Sequence, residues 1–208
     1  GAIHFHDDDV YDARWDADIV FDLPEDLKSG FYAVRLVADG EEERIPFFVR
    51  PRKGDRRAPV CFLASTATYL AYANSALRLD QVHAEAMLEG LIVLSRDDVY
   101  LQAHRELGLS TYDTHSDGSG WCTSTASRPI LNMRPRGNVF NYGADSLLLD
   151  WLEAEGISFD VITDEDIHRE GLSALAPYRC VITASHPEYV SKEMLDAFDA
   201  YQRGGGRH

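Results

Sequence analysis

The fold is decided by VCFLA at residues 60–64, a stretch that is apolar at every position. A continuous apolar run of this length is typical of a strand that is buried on both faces of a parallel sheet. Two further strand-like runs occur later, FDVIT at residues 159–163 and CVITA at residues 180–184. Segments with helical patterns separate the three runs, so the sequence predicts an α/β domain with a parallel sheet, helices on both faces and right-handed crossovers.

The helices of this domain are recognised by their apolar periodicity and by their end signals. We predict helices at residues 80–107, at residues 143–155 and after a cap at Ser191. The second helix ends at Gly156, a residue type that favours a helix C-terminus. Its apolar stripe consists of Leu148, Trp151 and Leu152. The last helix carries Met194, Leu195, Phe198 and Tyr201.

The first part of the chain has the pattern of antiparallel strands. Residues 17–23 and 31–37 are predicted strands, and the second of them alternates and is rich in aromatic and branched residues. Asp39 and Gly40 form a hairpin signal, and residues 45–49 complete the returning strand. These strands are expected to be part of a β-sandwich whose other strands lie upstream.

A basic stretch separates the two patterns. RPRKGDRR at residues 50–57 has the proline and glycine of a linker, and we expect it to dock on acidic surface rather than to bind nucleic acid. The predicted domains are therefore a β-rich segment with its linker at residues 1–57 and an α/β domain of catalytic type at residues 58–208. The second domain is expected to be truncated at its C-terminus.

The composition limits the classes of partner. Against 20 Lys and Arg the chain has 35 Asp and Glu, a formal charge of −15, which disfavours nucleic acid and anionic membrane surfaces. No apolar stretch approaches the roughly 20 residues of a membrane helix, and the start lacks a signal peptide pattern. The few cysteines suit reduced thiols. We therefore expect a cytoplasmic protein with a small neutral substrate.

An acidic, histidine-containing segment lies near the start, HFHDDD at residues 4–9. Histidine and aspartate are metal ligands, so the segment could be part of a metal cluster. The alternative is a solvated acidic tail, and we favour this alternative on sequence alone.

The candidate site is expected at the carboxyl ends of the parallel strands, where such sheets bind ligands. Three polar loops lie there or between them, at residues 65–74, 112–121 and 185–189. Neither Cys180 nor Ser185 sits in a glycine-flanked elbow of the kind that presents a nucleophile, so a nucleophilic mechanism is weakly supported. The carboxylate of Glu188 after the third strand suggests metal binding or general base chemistry instead.

Five motifs in these loops and strands resemble the N,N-dimethylformamidase large (beta) subunit family. They are TYLAYAN at residues 68–74, YDTHSDGSG at 112–120, RPILNMRP at 128–135, DVITDED at 160–166 and SHPEY at 185–189. The similarity runs in order from about Leu23 to the last residue. The predicted sheet also resembles the class I glutamine amidotransferase-like, or flavodoxin-like, fold.

The resemblance implies an iron-dependent amidase. The family is known for a mononuclear iron held by two tyrosines and a glutamate, and the motifs place these ligands at Tyr72, Tyr112 and Glu188. Tyr69 is the competitor for the role of Tyr72. Phenolate and carboxylate are hard donors that suit Fe(III). His186 would orient Glu188 or move a proton, and Glu188 and His186 are thus the expected catalytic residues.

The implied reaction is the hydrolysis of N,N-dimethylformamide, or a related small amide, to an amine and an acid. The metal would act as a Lewis acid and water activator. The family also implies a possible small subunit and a homo-oligomer as partners.

Each candidate residue also has a structural interpretation. Tyr72 and Tyr112, taken singly, could be tyrosines that hydrogen-bond to loop backbone. Glu188 could be an acid at a helix N-terminus. The polar residues with the same ambiguity, which could bind substrate or only hold loops, are His115, Asp117, Asn132 and Arg134.

Two other functions stay open on sequence. The chain could be a fragment that folds without activity, or a domain that binds or modifies carbohydrate on the same kind of sheet. In the second case Trp121 and Tyr142 could stack on sugar rings.

Overall fold

The structure, a computed structural model, describes residues 6, 8–55, 57–75, 94–135 and 141–208. It has two compact units, each built from two stretches of the chain. One unit consists of Gly1–Ala17 and Leu70–Asn132, and the other consists of Asp18–Tyr69 and Met133–His208. The domain boundary near residue 57 stays a prediction.

A β-hairpin forms the first regular structure of the chain. Strands β1 (Gly30–Ala38) and β2 (Glu41–Val49) pair antiparallel, as the alternating pattern predicted. Asp39 and Gly40 both have positive φ, 51° and 83°, which is the backbone that a tight hairpin turn needs. The strand pattern and the hairpin signal were therefore correct.

The predicted strand at residues 17–23 is wrong. This segment has no strand hydrogen bonds, and its apolar side chains are exposed, including Ile19 at 66% and Val20 at 85%. A strand needs a neighbour for its backbone N–H and C=O groups, and no strand in the described part of the chain pairs with it. Residue composition alone could not show that none of the described strands would pair with this segment.

The parallel sheet is present at the predicted positions. Strands β3 (Val60–Ala64), β4 (Phe159–Thr163) and β5 (Cys180–Thr183) are all parallel, in the order β4-β3-β5. The central strand β3 is buried on both faces, because Phe62 packs into one core cluster and Leu63 into the other. This burial explains why every residue of the strand is apolar.

Short and medium helices complete the described structure. They are α1 (Thr66–Ala71), α2 (Arg96–Ala103), α3 (Tyr142–Ala154), α4 (Asp164–Glu170), α5 (Leu172–Leu175) and α6 (Lys192–Arg203), with a 3-10 turn at Arg105–Leu107. Ser191 caps α6 as predicted, because its side chain accepts a hydrogen bond from the Met194 N–H. Of the helix predicted at residues 80–107, the part before residue 94 lies outside the described residues. Among the described helices none combines the length and the apolar character that crossing a membrane requires.

The predicted apolar stripe on α3 is wrong for one residue, Trp151. Leu149 and Leu152 face the core, whereas Trp151 is 53% exposed. Successive residues of a helix are separated by about 100° around its axis, so Trp151 turns away when its neighbour Leu152 faces the sheet. The Gly156 stop is confirmed by its positive φ of 68°.

Two hydrophobic clusters lie on the two faces of the parallel sheet. On one face, Leu149 and Leu152 of α3 pack with Phe62 and Val161, and Phe31 and Phe48 of the hairpin join them. On the other face, α4, α5 and α6 supply the apolar residues, among them Ile167, Leu175 and Met194. The hairpin is therefore fastened to the α/β core by aromatic packing.

The linker after the hairpin docks on acidic surface, as expected. The Arg50 guanidinium lies 2.8 Å from a carboxylate oxygen of Glu170 and 2.5 Å from one of Asp166, both on α4. These partners raise the pKa of Arg50, with the hydrogen bond to Glu170 as the main cause.

Candidate functional site

The loops after β3 and β5 begin side by side at the carboxyl end of the parallel sheet. Because β4 and β5 lie on opposite sides of β3, the direction of strand order reverses at β3. Open parallel sheets bind ligands at such a point, outside the carboxyl ends of the strands. The fold therefore directs residues 65–69 and residues 184–190 to the position where such sheets bind ligands.

The two loops are joined through Thr68. Its Oγ1 accepts hydrogen bonds from the backbone N–H of Glu188 at 3.0 Å and from that of Tyr189 at 3.2 Å. Thr68 is fully buried on α1, so its hydroxyl is held at a defined place. This anchor positions the backbone of Glu188. Helix α6 begins only at Lys192, so Glu188 lies before its first turn and is not an acid at the helix N-terminus.

His186 and Glu188 form a partly exposed pair. His186 Nε2 lies 3.2 Å from Glu188 Oε2, and both side chains are partly open to solvent. The imidazole can therefore orient the carboxylate, and both groups are accessible to a ligand in water.

A second anchor for the same loop comes from Asp145 on α3. This buried carboxylate accepts a hydrogen bond from the Ser185 N–H at 2.6 Å and another from the Tyr69 hydroxyl. Burial, and then the charge of Asp145, raises the pKa of Tyr69 far above its ordinary value. Tyr69 therefore remains a protonated hydrogen-bond donor in the core. Sequence reasoning missed Asp145, although an acid on the apolar side of an amphipathic helix was a usable signal.

A buried carboxyl group lies at the end of β4. Asp164 accepts a hydrogen bond from the Ala67 N–H at 3.0 Å, and burial raises its pKa to about 7. Two residues before Ala67, the Oγ of Ser65 is buried and has no hydrogen-bond partner among the described residues. The carboxyl end of the sheet thus contains polar side chains that are buried, Ser65 and Asp164.

Tyr72 and Tyr112 come together in the other unit. Their rings stack with centroids 4.2 Å apart and planes inclined by 27°. The segments that carry them are joined by backbone, because the Thr111 N–H donates to the Ala71 carbonyl at 2.9 Å. Tyr112 is 43% exposed and Tyr72 is half-buried, so neither ring is a core residue.

Asn132 and Asn74 hold the backbone beside Tyr72. The Asn132 amide donates to the Tyr72 carbonyl at 2.9 Å and accepts from the Asn74 N–H at 2.9 Å. Asn74 is buried, has a positive φ of 57°, and donates in turn to the Pro129 carbonyl at 2.8 Å. Sequence left open whether Asn132 binds substrate or holds neighbouring backbone, and the structure shows that it holds backbone. Arg134 lies 3.1 Å from a carboxylate oxygen of Glu43.

The loop that follows Tyr112 is held by its own polar residues. The buried carboxylate of Asp113 accepts from both the N–H and the hydroxyl of Ser110, at 3.0 and 2.6 Å. Asp117 accepts from the Ser119 N–H at 2.9 Å, and the His115 N–H donates to the Ser119 carbonyl at 2.9 Å. Asp117 and the backbone of His115 thus hold this loop, which is the structural interpretation that the sequence left open for these two residues.

The predicted site residues therefore form two pairs. Tyr72 and Tyr112 are together in one compact unit, and His186 and Glu188 are together in the other. The set of three metal ligands stays a prediction.

The aromatic residues suggested for carbohydrate stacking are buried. Trp121 and Tyr142 are each only 3% exposed. Trp121 stacks on His115, and Tyr142 stacks on Phe31. A sugar needs an open ring face, so these two residues do not support a carbohydrate site.

Comparison with known proteins identifies the family. The whole chain, residues 1–208, matches the family described as N,N-dimethylformamidase beta subunit-like, C-terminal. The chain belongs to this family. Two curated relatives in it are the N,N-dimethylformamidase beta subunits of Alcaligenes sp and of Paracoccus aminophilus, each 42% identical over 215 aligned residues.

The chain spans only part of these N,N-dimethylformamidase subunits. Each alignment covers 100% of this chain and 28% of the relative. The match includes both tyrosine-bearing segments and the loop of Glu188, so the family resemblance inferred from the motifs is confirmed along its full length.

Proposed function

We propose that this chain supplies the iron site of an amide hydrolase acting on N,N-dimethylformamide or a related small amide. The observation that carries the proposal is the 42% identity, over the whole chain, with two proteins named N,N-dimethylformamidase beta subunit. In this proposal Tyr72, Tyr112 and Glu188 hold one Fe(III). The sheet would be of the glutamine amidotransferase-like type, which the strand order supports.

The residues fit the metal by the chemistry of their donor atoms. Two phenol oxygens and one carboxylate oxygen form a hard, anionic ligand set, which suits Fe(III). The stacked rings of Tyr72 and Tyr112 bring two phenols to one place, and the Glu188 carboxylate is not enclosed in the core. Phenols ionise near pH 10 in water, so the metal's charge would lower their pKa on binding.

The surroundings of the two competing tyrosines favour Tyr72 over Tyr69. The hydroxyl of Tyr69 donates to Asp145 inside the core, and its pKa is raised by burial. A ligand to iron would have to give up that proton beside a buried carboxylate, which is unfavourable. Tyr72 is half-buried and stacks on Tyr112, the other proposed ligand.

The chain's own residues would support hydrolysis in defined ways. The bound iron would supply a Lewis acid that polarises the amide carbonyl and acidifies water. Glu188 is positioned by Thr68, and His186 orients its carboxylate from 3.2 Å. When water adds to the carbonyl carbon and the C–N bond breaks, the departing amine needs a proton, and His186 would deliver one. The products would be dimethylamine and formate.

Metal analysis and visible absorption of the purified protein test this proposal. We expect near-stoichiometric iron with a phenolate-to-iron band that Tyr72→Phe and Glu188→Ala both lose. Tyr69→Phe is the matched control, because it removes a hydroxyl three residues away and should keep the band. A well-folded protein without iron, or a band unchanged in both variants, would overturn the assignment.

A second candidate is that this chain folds but needs further residues or subunits for activity. The coverage of 28% of each relative favours it, as do the relatives' names, which call them subunits. We propose a small subunit or further copies of the chain as partners. Iron binding without amide hydrolysis, with activity restored when such a partner is added, would support this candidate.

A further inference from the structure

We propose a second metal site, formed by His6, Asp8 and His115 and suited to a divalent transition metal of the zinc class. The three residues belong to one compact unit and include none of the proposed iron ligands. One ligand atom from each lies within 4.8 Å of the others. Sequence favoured a solvated tail for this segment, but in the structure His6 stacks on His115 and Asp8 lies 2.9 Å from the same ring.

One oxygen of Asp8 faces a ring nitrogen of each histidine. Asp8 Oδ1 lies 2.9 Å from His115 Nδ1 and 4.0 Å from His6 Nδ1. Around a tetrahedral ion with bonds of about 2.0–2.2 Å, ligand atoms are about 3.3–3.6 Å apart. The two observed distances lie on either side of this value. A rotation of the His6 ring would therefore be enough to place all three around one ion.

The other nitrogen of each ring faces a polar partner. His6 Nε2 lies 3.1 Å from the Ser119 hydroxyl and 3.9 Å from Asp117 Oδ2. His115 Nε2 lies 3.7 Å from Asp9 Oδ1. Metal-binding histidines usually have such a partner on the second nitrogen, which sets the tautomer and directs the free lone pair to the metal.

The packing makes His115 the fixed ligand and His6 the adjustable one. The His115 side chain is 4% exposed and lies between the Trp121 and His6 rings, with centroid distances of 4.5 and 3.6 Å. Because the two imidazoles are stacked, their nitrogen lone pairs lie in neighbouring planes. Binding thus requires a rotation of His6, whose side chain is 24% exposed.

Charge favours a cation at this place. The side chains of Asp8, Asp9 and Asp117 surround the two histidines. Two imidazoles and one carboxylate suit Zn²⁺, Co²⁺ or Ni²⁺ better than Mg²⁺ or Ca²⁺, and they leave a position for water.

The ion would act as a staple between two distant parts of the chain. It would tie the segment of His6 and Asp8 to the loop that contains His115. This loop follows Tyr112, which lies three residues before His115. Removing the metal is therefore expected to loosen that loop and to lower the melting temperature.

Zinc titration by calorimetry, with Co²⁺ absorption as a spectroscopic probe, tests the site on the whole protein. We expect one equivalent of Zn²⁺ beyond any iron, and a Co²⁺ spectrum of a nitrogen and oxygen ligand set. Asp8→Asn and His115→Ala should each weaken zinc binding by at least the roughly 10- to 100-fold that changes around a metal site cause. Asp8 is exposed, so its variant should fold even where His115→Ala does not.

His104→Ala is the matched control. His104 lies in the same unit and pairs with Glu106 at 2.7 Å, but it belongs to no cluster of three ligands among the described residues. This control should bind zinc normally, and so should Tyr72→Phe, which separates this site from the proposed iron site. Absence of zinc binding, or binding that Asp8→Asn leaves unchanged, would overturn the proposal.

Discussion

Replacing Thr68 by valine should release the loop that carries Glu188. The Thr68 hydroxyl oxygen accepts two backbone hydrogen bonds, from Glu188 and Tyr189. Valine has nearly the same shape but no acceptor. At about 1 kcal/mol for each hydrogen bond, the loss is about 2 kcal/mol. Expressed as a local opening equilibrium, this loss corresponds to about 30-fold weaker protection of the two amides.

Urea unfolding and amide hydrogen exchange measure the two consequences. Thr68→Val should lower the free energy of unfolding by up to about 2 kcal/mol and should reduce protection at Glu188 and Tyr189 first. Iron should also bind more weakly, because Glu188 is no longer held. Thr68→Ser keeps the acceptor and is the control. If Thr68→Val matches the wild type in amide protection at both positions, Thr68 is not the anchor.

Three further predictions concern Asp145, Tyr69 and Asp164, buried residues near the carboxyl end of the parallel sheet. Asp145→Ala should lower the free energy of unfolding by about 2–5 kcal/mol in urea titrations, because the Ser185 N–H and the Tyr69 hydroxyl both lose their acceptor; a loss below that of Tyr69→Phe would contradict this. Tyr69→Phe should keep the phenolate-to-iron band, whereas Tyr72→Phe should lose it, and the opposite result would reverse the assignment. Asp164 has a pKa of about 7 in the folded state against 3.8 ordinarily, so the folded state binds more protons between these values. Its contribution to stability is present at low pH and is lost as pH rises to about 7, by at most about 1.4 kcal/mol per pH unit. The difference between wild type and Asp164→Asn, measured by unfolding from pH 4 to 8, should show this slope, and a flat difference would refute it.

Most of the fold could be predicted from local pattern. The three parallel strands and α6 lie where their apolar runs and caps indicated, because burial on both faces of a sheet requires a continuous apolar stretch. The failures are residues 17–23 and Trp151. In both, the side chains are apolar, but the outcome depended on whether a partner surface was present.

The candidate site was predictable only in part. The motifs pointed to Tyr72, Tyr112 and Glu188, and the structure shows what holds their backbone, namely Asn132, Thr68 and neighbouring loop residues. Sequence did not indicate that Tyr69 would be bound to a buried acid, nor that His115 would meet Asp8. These pairs are separated by many residues, so no local pattern records them.

The sequence by itself determined the class of the fold, the positions of the hairpin and of the three parallel strands, and the family. These depend on periodicity, on caps and on motifs, which are properties of neighbouring residues. Only the tertiary structure decided the strand order β4-β3-β5, the different surroundings of Tyr69 and Tyr72, and the cluster of His6, Asp8 and His115. The physical reason is that hydrogen bonds and metal sites depend on distances of a few ångströms between atoms that are remote in the chain, and packing alone sets those distances.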